Sequence, residues 1–204
     1  YEAPSQHTAR LAPNDVELGG KLIHKRDAVI AVMAAANRDP ERFPDGLAPV
    51  SRAAARHGAE LLAWFEPERM RPGTELDREH PEWLTKLPGN PNRMLNLGDP
   101  RALDWLTNHI SNFIQTEGVT IYRQDFNFDP YPYWQAMDAP DRVGIAEMKH
   151  IEGLYRFWDA LLERNPGLLI DNCASGGRRN DLETLRRAVP LLRSDYLFEP
   201  VGEQ

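Results

Sequence analysis

The sequence predicts an α/β chain that forms part of a (β/α)8 TIM barrel, about four parallel strands with covering helices. Three observations predict it. Four short runs, nearly continuous in apolar residues, alternate with segments of helical period, the pattern of strands buried on both faces of a parallel sheet. Each run ends in polar or aromatic residues, and a (β/α)8 barrel builds its site from the residues that follow its strands. A doubly wound sheet would instead carry a glycine-rich phosphate turn, and Gly176-Gly177, the only candidate, lacks the G-x-G-x-x-G spacing.

Each element has its own signal. Tyr1 to Gly20, with Pro4, Pro13 and Gly19-Gly20, reads as a loop or arm. Ile23 to Ala36 carries Val29, Val32 and Met33 at helical spacing and reads as a helix. Residues 1–36 thus form an unassigned segment with one helix, and 37–204 the partial barrel. Arg38 to Pro49, rich in proline, is a turn-laden connection into a helix from about Pro49 to His57, stopped by Gly58. Glu60 to Phe65 is the first strand. Asp99-Pro100 opens a helix as N-cap and first-turn proline, with a stripe of Leu103, Leu106, Ile110, Phe113 and Ile114 that ends before Gly118. The run from Val119 follows as the second strand, ending in Asp125. Ile145 to Arg164 is a long helix stopped at Asn165-Pro166-Gly167. Leu168 to Ile170 is the third strand, Asp181 to Ala188 a helix, and Leu191 to Asp195 the fourth strand.

Composition bounds the function. With 204 residues, 41% hydrophobic and 27% charged, the chain is long enough for one substantial core. Its 24 basic against 31 acidic residues, a net charge of -7, supply no broad basic face for nucleic acid. One cysteine, Cys173, excludes an intrachain disulfide framework and a multi-cysteine zinc site. No apolar run approaches a membrane span, and the N-terminus shows no signal pattern. A cytoplasmic location is expected over a secreted one, although a leader could lie upstream of Tyr1.

Strand propensity does not account for Asp125, which closes the β-rich run Val119-Thr120-Ile121-Tyr122. It could cap the next element or pair with Arg123. Alternatively it is one of two carboxylates on strand ends facing a common pocket, the minimum equipment of a glycosidase, with aromatic faces for sugar rings. Trp64, Trp83, Tyr131, Tyr133 and Trp134 lie in or beside loops after strands, whereas Trp105 and Trp158 sit in helical patterns and are expected to pack. The rival carboxylates are Asp129, Asp171, Glu66, Glu68 and Glu199. Glu66 and Glu68, flanking Pro67, read as loop-organising partners of Arg69 or Arg71.

Six ordered motifs carry a resemblance. Phe43-Pro44-Asp45-Gly46-Leu47, Trp64-Phe65-Glu66-Pro67-Glu68-Arg69, His80-Pro81-Glu82-Trp83, Arg123-Gln124-Asp125-Phe126-Asn127, Asn172-Cys173-Ala174-Ser175-Gly176-Gly177-Arg178 and Ser194-Asp195 resemble the catalytic barrel of the melibiase-type α-galactosidases, glycoside hydrolase family 36. The resemblance implies retaining hydrolysis of terminal α-galactosides without a cofactor or metal. It implies Asp125 as nucleophile and Asp195 as general acid/base, about 5 to 5.5 Å apart if retention holds. It also implies sugar contacts from Trp64, Arg93, Arg123, Asn127, Cys173, Gly176 and Gly177. Two positions depart from the family, where a Lys-Trp pair precedes the nucleophile: Arg123 changes a point charge into a planar fork, and Gln124 removes an aromatic.

By the family pattern the four strands match the third to the sixth of the parent barrel. This stretch is therefore expected not to close a barrel and, by itself, not to hydrolyse substrate. The unpaired edges near Leu62 and Leu192 invite association between copies. A transglycosylase of the raffinose-synthase kind would share fold and nucleophile, and a carbohydrate-binding remnant would share the aromatic and glycine-rich surfaces. A metal-dependent hydrolase would draw on His57, His80, His109 and His150, none of which falls at a strand end or in an H-x-x-x-H pattern.

Overall fold

The protein is described here by a computed structural model in which residues 8–11, 14–18, 21–25, 28–31 and 46–191 are placed. The chain divides into two units, Tyr1–Gly46 and Leu47–Gln204. In the first, β1 (Thr8–Leu11) pairs antiparallel with β4 (Ala28–Ala31), and β2 (Val16–Leu18) antiparallel with β3 (Lys21–Ile23). This corrects both expectations for the segment, a loop up to Gly20 and a helix from Ile23. Four apolar residues, two of them β-branched, are too few to display a period, and Ala28-Val29-Ile30-Ala31 finds a strand partner instead. The rest of that expected helix lies outside the described residues.

The second unit is organised around three parallel strands: β5 (Leu62–Phe65), β9 (Ile121–Gln124) and β10 (Leu169–Asn172), with β9 in the centre. A three-stranded antiparallel sheet is inserted after β5, with β8 (Arg93–Leu95) between β6 (Arg69–Met70) and β7 (Leu84–Lys86). Helix α1 (Ala48–Arg56) precedes β5, and its Ala48 amide is capped at 3.0 Å by the carboxylate of Glu117. Helix α2 (Glu75–Glu79) and a 3₁₀ turn (Pro81–Trp83) lie within the insertion.

Helix α3 (Pro100–Glu117) starts where Asp99 accepts from the Arg101 amide at 2.9 Å and stops at Gly118, whose φ of 67° suits a residue without a Cβ. Helix α4 (Tyr131–Met137) and the long α5 (Ile145–Arg164) follow β9, and α6 (Leu182–Leu185) follows β10 with Asp181 as its capping-box residue. The predicted stripes face the sheet. Leu103, Leu106, Ile110 and Ile114 of α3 and Leu154, Phe157, Trp158 and Leu161 of α5 bury against Phe65, Tyr122 and Ile170. Phe65, Tyr122 and Phe157 meet edge on or tilted, at 5.4 and 6.1 Å between ring centroids.

These are the parallel strands and covering helices of part of a (β/α)8 barrel, and they do not close among the described residues. Of the fourth strand expected over Leu191 to Asp195, only Leu191 is described, and it lies in a bend; just before it Val189 forms a single parallel bridge with Asp171, while Leu192 onward, including Ser194, Asp195 and Glu199, lies outside the described residues.

Candidate active site

Register decides which side chains share a face. Phe65, Gln124 and Asn172 are neighbours across the sheet, as are Ala63, Tyr122 and Ile170, and both rows point to the helices. The alternate rows point the other way: Leu62, Ile121 and Leu169 first, then Trp64, Arg123 and Asp171. Glu66, Asp125 and Cys173 come next, immediately beyond the last paired residues. The Asp125 amide donates to Phe65 O at 2.9 Å and the Cys173 amide to Gln124 O at 2.8 Å, so the ladder carries one residue past the strand ends. Side chains thus stack in layers on the inner face, as in a barrel, with carboxylates in the layer at the C-terminal end.

Asp125 is 7% exposed. Burial by itself would raise its pKa. The Asn127 side chain, the Phe126 amide, the Cys173 thiol and the Ser175 amide all donate to the carboxylate and together hold it below the ordinary value of 3.8. The two amides reach Oδ1 at 2.8 and 3.4 Å. The group is therefore an anion at neutral pH with its lone pairs directed. The Cys173 thiol beside it is pushed up by burial and by the Asp125 charge, which keeps it a thiol.

The turn after β10 makes this possible. Ser175, Gly176 and Gly177 run consecutively at positive φ, 46°, 83° and 98°. Glycine adopts such angles at little cost, whereas Ser175 is held there by bonds: its hydroxyl donates to Asn127 Oδ1 at 2.8 Å while its amide faces Asp125. Arg178 then donates to the carbonyls of Phe126 and Phe128, at 2.9 and 3.2 Å, tying the turn to the one after β9.

Glu66 accepts from the Asn127 amide and pairs with Arg69, the partner the sequence suggested. Burial pushes its pKa up against those bonds, with a smaller push from the Asp125 charge. Glu68 departs from expectation: it pairs with neither Arg69 nor Arg71. It is fully buried and accepts from Gln124 Nε2 and His150 Nε2, both at 2.9 Å, and from Arg179.

The structure brings Asp125, Asn127, Cys173 and the Ser175–Gly177 turn together, with Trp64 and Arg123 one layer below. Arg123 pairs with Asp171, which overturns a simple Arg123–Asp125 pair. Arg93 lies in the antiparallel sheet, its Nε on Asp77 Oδ1 at 2.6 Å. Gln124 turns out not to face the site at all. Its amide points to the helices and accepts from Tyr122 Oη at 3.0 Å and Trp158 Nε1 at 2.8 Å, so it removes no aromatic from the inner face. Among the aromatic candidates, Trp83 is buried in the core against His80 and Trp105, and Tyr133 is buried with its hydroxyl on Asn92 O at 3.1 Å. Trp134 packs beside Tyr133, and Tyr131 is exposed. His150 belongs to Glu68, and no cluster of metal-binding side chains occurs among the described residues. No described helix is long and apolar enough to cross a membrane.

The residues that sequence reasoning undervalued are Glu68, Ser175 and Arg179. Glu68 carried no local signal: strand alternation would set it on the same face as Glu66, two residues earlier, yet beyond Pro67 it turns toward the helices and meets Gln124 and His150.

A family model described as Melibiase matches residues 25–198. An alpha-galactosidase of Escherichia coli is 31% identical over 163 residues, covering 77% of this chain and 22% of that protein. Crystal structures of the alpha-galactosidase AgaA from Geobacillus stearothermophilus, of glycoside hydrolase family 36, superpose with a TM-score of 0.64 over 74% of this chain and 22% of theirs. One, in complex with stachyose, is 25% identical to this chain, and one in complex with raffinose 26%. The chain thus spans about a fifth of the length of these relatives.

Proposed function

Since the chain belongs to the melibiase family, glycoside hydrolase family 36, we propose that the protein is a retaining α-galactosidase acting on terminal α-galactosides, with Asp125 as nucleophile and Asp195 as general acid/base. One observation carries the reading. Asp125 is an ionised, hydrogen-bonded carboxylate at the C-terminal end of a central parallel strand, on the face away from the helices.

In the first step a carboxylate oxygen of Asp125 forms a bond to the anomeric carbon as the bond to the glycosidic oxygen breaks. Asp195, protonated, gives its proton to that oxygen. In the second step Asp195, now a carboxylate, takes a proton from water as the water oxygen displaces Asp125 from the same carbon, and two inversions give retention. Trp64 supplies an aromatic face, Arg123 a planar donor fork, and Asn127 and the Cys173–Gly177 turn place polar groups beside the nucleophile. Arg93 contributes only if its pairing with Asp77 is exchanged for a sugar hydroxyl. Raffinose and stachyose, the ligands bound to AgaA, define the oligosaccharide class to try first.

The test uses the intact protein that carries these residues. Asp125→Ala is expected to lose turnover of an aryl α-galactoside, and any azide product from it to be the inverted β-galactosyl azide. Asp195→Ala is expected to spare good leaving groups and to yield α-galactosyl azide from the trapped intermediate. Equal losses in both variants across all leaving groups, with no azide product, would overturn the assignment.

A further inference from the structure

Asp125 points to the inner face, but both of its chain neighbours point away from it into one buried polar cluster. Gln124, before it, donates to Glu68 at 2.9 Å. Phe126, after it, lies under the guanidinium of Arg179, 4.4 Å from the ring centroid, and Arg179 pairs with the same Glu68. His150 closes the cluster from α5, with Nε2 at 2.9 Å from Glu68 and its ring stacked near Phe126 at 6.3 Å. One fully buried carboxylate thus joins the loop after β5, the end of β9, helix α5 and the turn after β10.

We propose that Glu68 is a positioning residue for Asp125, fixing the nucleophile through Gln124 on one side and through Arg179 and Phe126 on the other. The inference rests on the nucleophile assignment above. Core packing alone does not call for a charge here, since an apolar side chain of similar volume would fill the space without the desolvation cost of an anion. A carboxylate with three donors, by contrast, fixes direction as well as distance. Arg179 sits two residues beyond Gly177, so the same anion also anchors the far end of the glycine turn that presents the Ser175 amide to Asp125. Loss of the anion lets the two ends of the site drift relative to one another, and displacement of a reacting group by about 1 Å lowers rate by about 10²-fold.

The experiment measures kcat and KM on an aryl α-galactoside for the intact protein and for Glu68→Gln, Arg179→Met and the double variant. Each value is taken per active site counted with a fluorogalactoside that traps the galactosyl-enzyme. The expected result is a fall in per-site kcat of about 10²-fold in each single variant with KM changed less than about threefold, and a double variant no worse than the poorer single. Arg179→Lys, which keeps the charge, recovers part of the loss. If Glu68→Gln does not fold, Gln124→Met tests the same link from the other end and is expected to lower per-site kcat likewise. Unchanged per-site kcat in the folded variants, losses confined to KM, or losses that multiply in the double variant would overturn the proposal. Wild-type activity that survives Asp125→Ala would instead remove the nucleophile assignment, whatever Glu68 does.

Discussion

Arg123 on β9 and Asp171 on β10 stand opposite one another in the parallel register and form an ion pair whose carboxylate is wholly buried. The other oxygen of Asp171 accepts from the Leu191 amide at 2.9 Å, and Asp171 is bridged to Val189 through its chain neighbours, the Val189 amide donating to Ile170 O and the Asn172 amide to Val189 O, both at 2.9 Å. One side chain therefore ties the central strand, its neighbour and residues 189–191 together just beneath the layer that holds Asp125.

Removing the cation is expected to be expensive. Arg123→Met leaves the Asp171 carboxylate buried without its charge partner, a change that costs about 3–5 kcal/mol when the pair is buried. Arg123→Lys restores a charge but not the fork and should fall between the two. Urea unfolding of the chain measures this. A loss below about 1 kcal/mol in Arg123→Met would mean that the pair behaves as a solvated surface contact.

Glu68 gives the fold a pH dependence of definite sign. Burial opposes its ionisation, yet the Arg179 charge and the His150 contact lower its pKa from 4.5 to about 2. A carboxylate whose folded pKa is depressed adds stability above its unfolded pKa and loses it as pH falls through the folded one. The contribution, about 3 kcal/mol, is complete above pH 4.5 and disappears progressively toward pH 2. Unfolding midpoints at pH 6 and pH 3 should show this slope in the wild-type chain and a flatter one in Glu68→Gln. Equal slopes would assign the acid sensitivity to other carboxylates.

Asp125 and Glu66 are pushed in opposite directions, and activity should register both. The pKa of Asp125 is held below 3.8, so on the nucleophile assignment proposed above the midpoint of the fall in kcat/KM caused by its protonation lies under that value. Glu66, raised above 4.5 chiefly by burial, takes up its proton first as pH is lowered. An acid limb above pH 4.5 that vanishes in Glu66→Gln, uncovering a lower one, is the expected profile of the intact protein. A limb above 4.5 that persists in that variant would place the titrating group elsewhere.

The legible part of this chain was its periodic part. Helices α3 and α5 showed full apolar stripes with caps at Asp99 and Gly118, and β5, β9 and β10 were continuous apolar runs ending in the quoted motifs. The N-terminal strands were misread because Ala28–Ala31 is too short for strand and helix periods to differ. The antiparallel insertion escaped notice because its strands are two or three residues long and held by pairing rather than propensity. At the site, Asp125 was visible as a strand-end carboxylate. Glu68 was not, because its partners lie 56, 82 and 111 residues away and no local pattern announces them.

Gly153, on the buried face of α5, offers a prediction in which packing and propensity have opposite signs. Alanine is favoured over glycine in a helix interior by about 1 kcal/mol, so propensity alone makes Gly153→Ala stabilising. A Cβ built at this position, however, would stand 2.1 Å from the carbonyl oxygen of Leu97 and 2.7 Å from its carbon, both backbone atoms. Leu97 is itself buried, in the segment that leads from β8 to α3, and cannot yield as the end of a flexible side chain would. Overpacking of this kind costs about 1–3 kcal/mol, which exceeds the propensity gain, and backbone against backbone belongs at the upper end of that range. Gly153→Ala is therefore expected to lower stability by about 1–2 kcal/mol net in urea unfolding. Gly98, whose added Cβ would stand 3.0 Å from Lys149 Cβ and 3.1 Å from Asn96 Oδ1, is the milder comparison, since these neighbours need give way much less than the Leu97 backbone. A Gly153→Ala variant more stable than wild type would show that α5 does not approach Leu97 this closely.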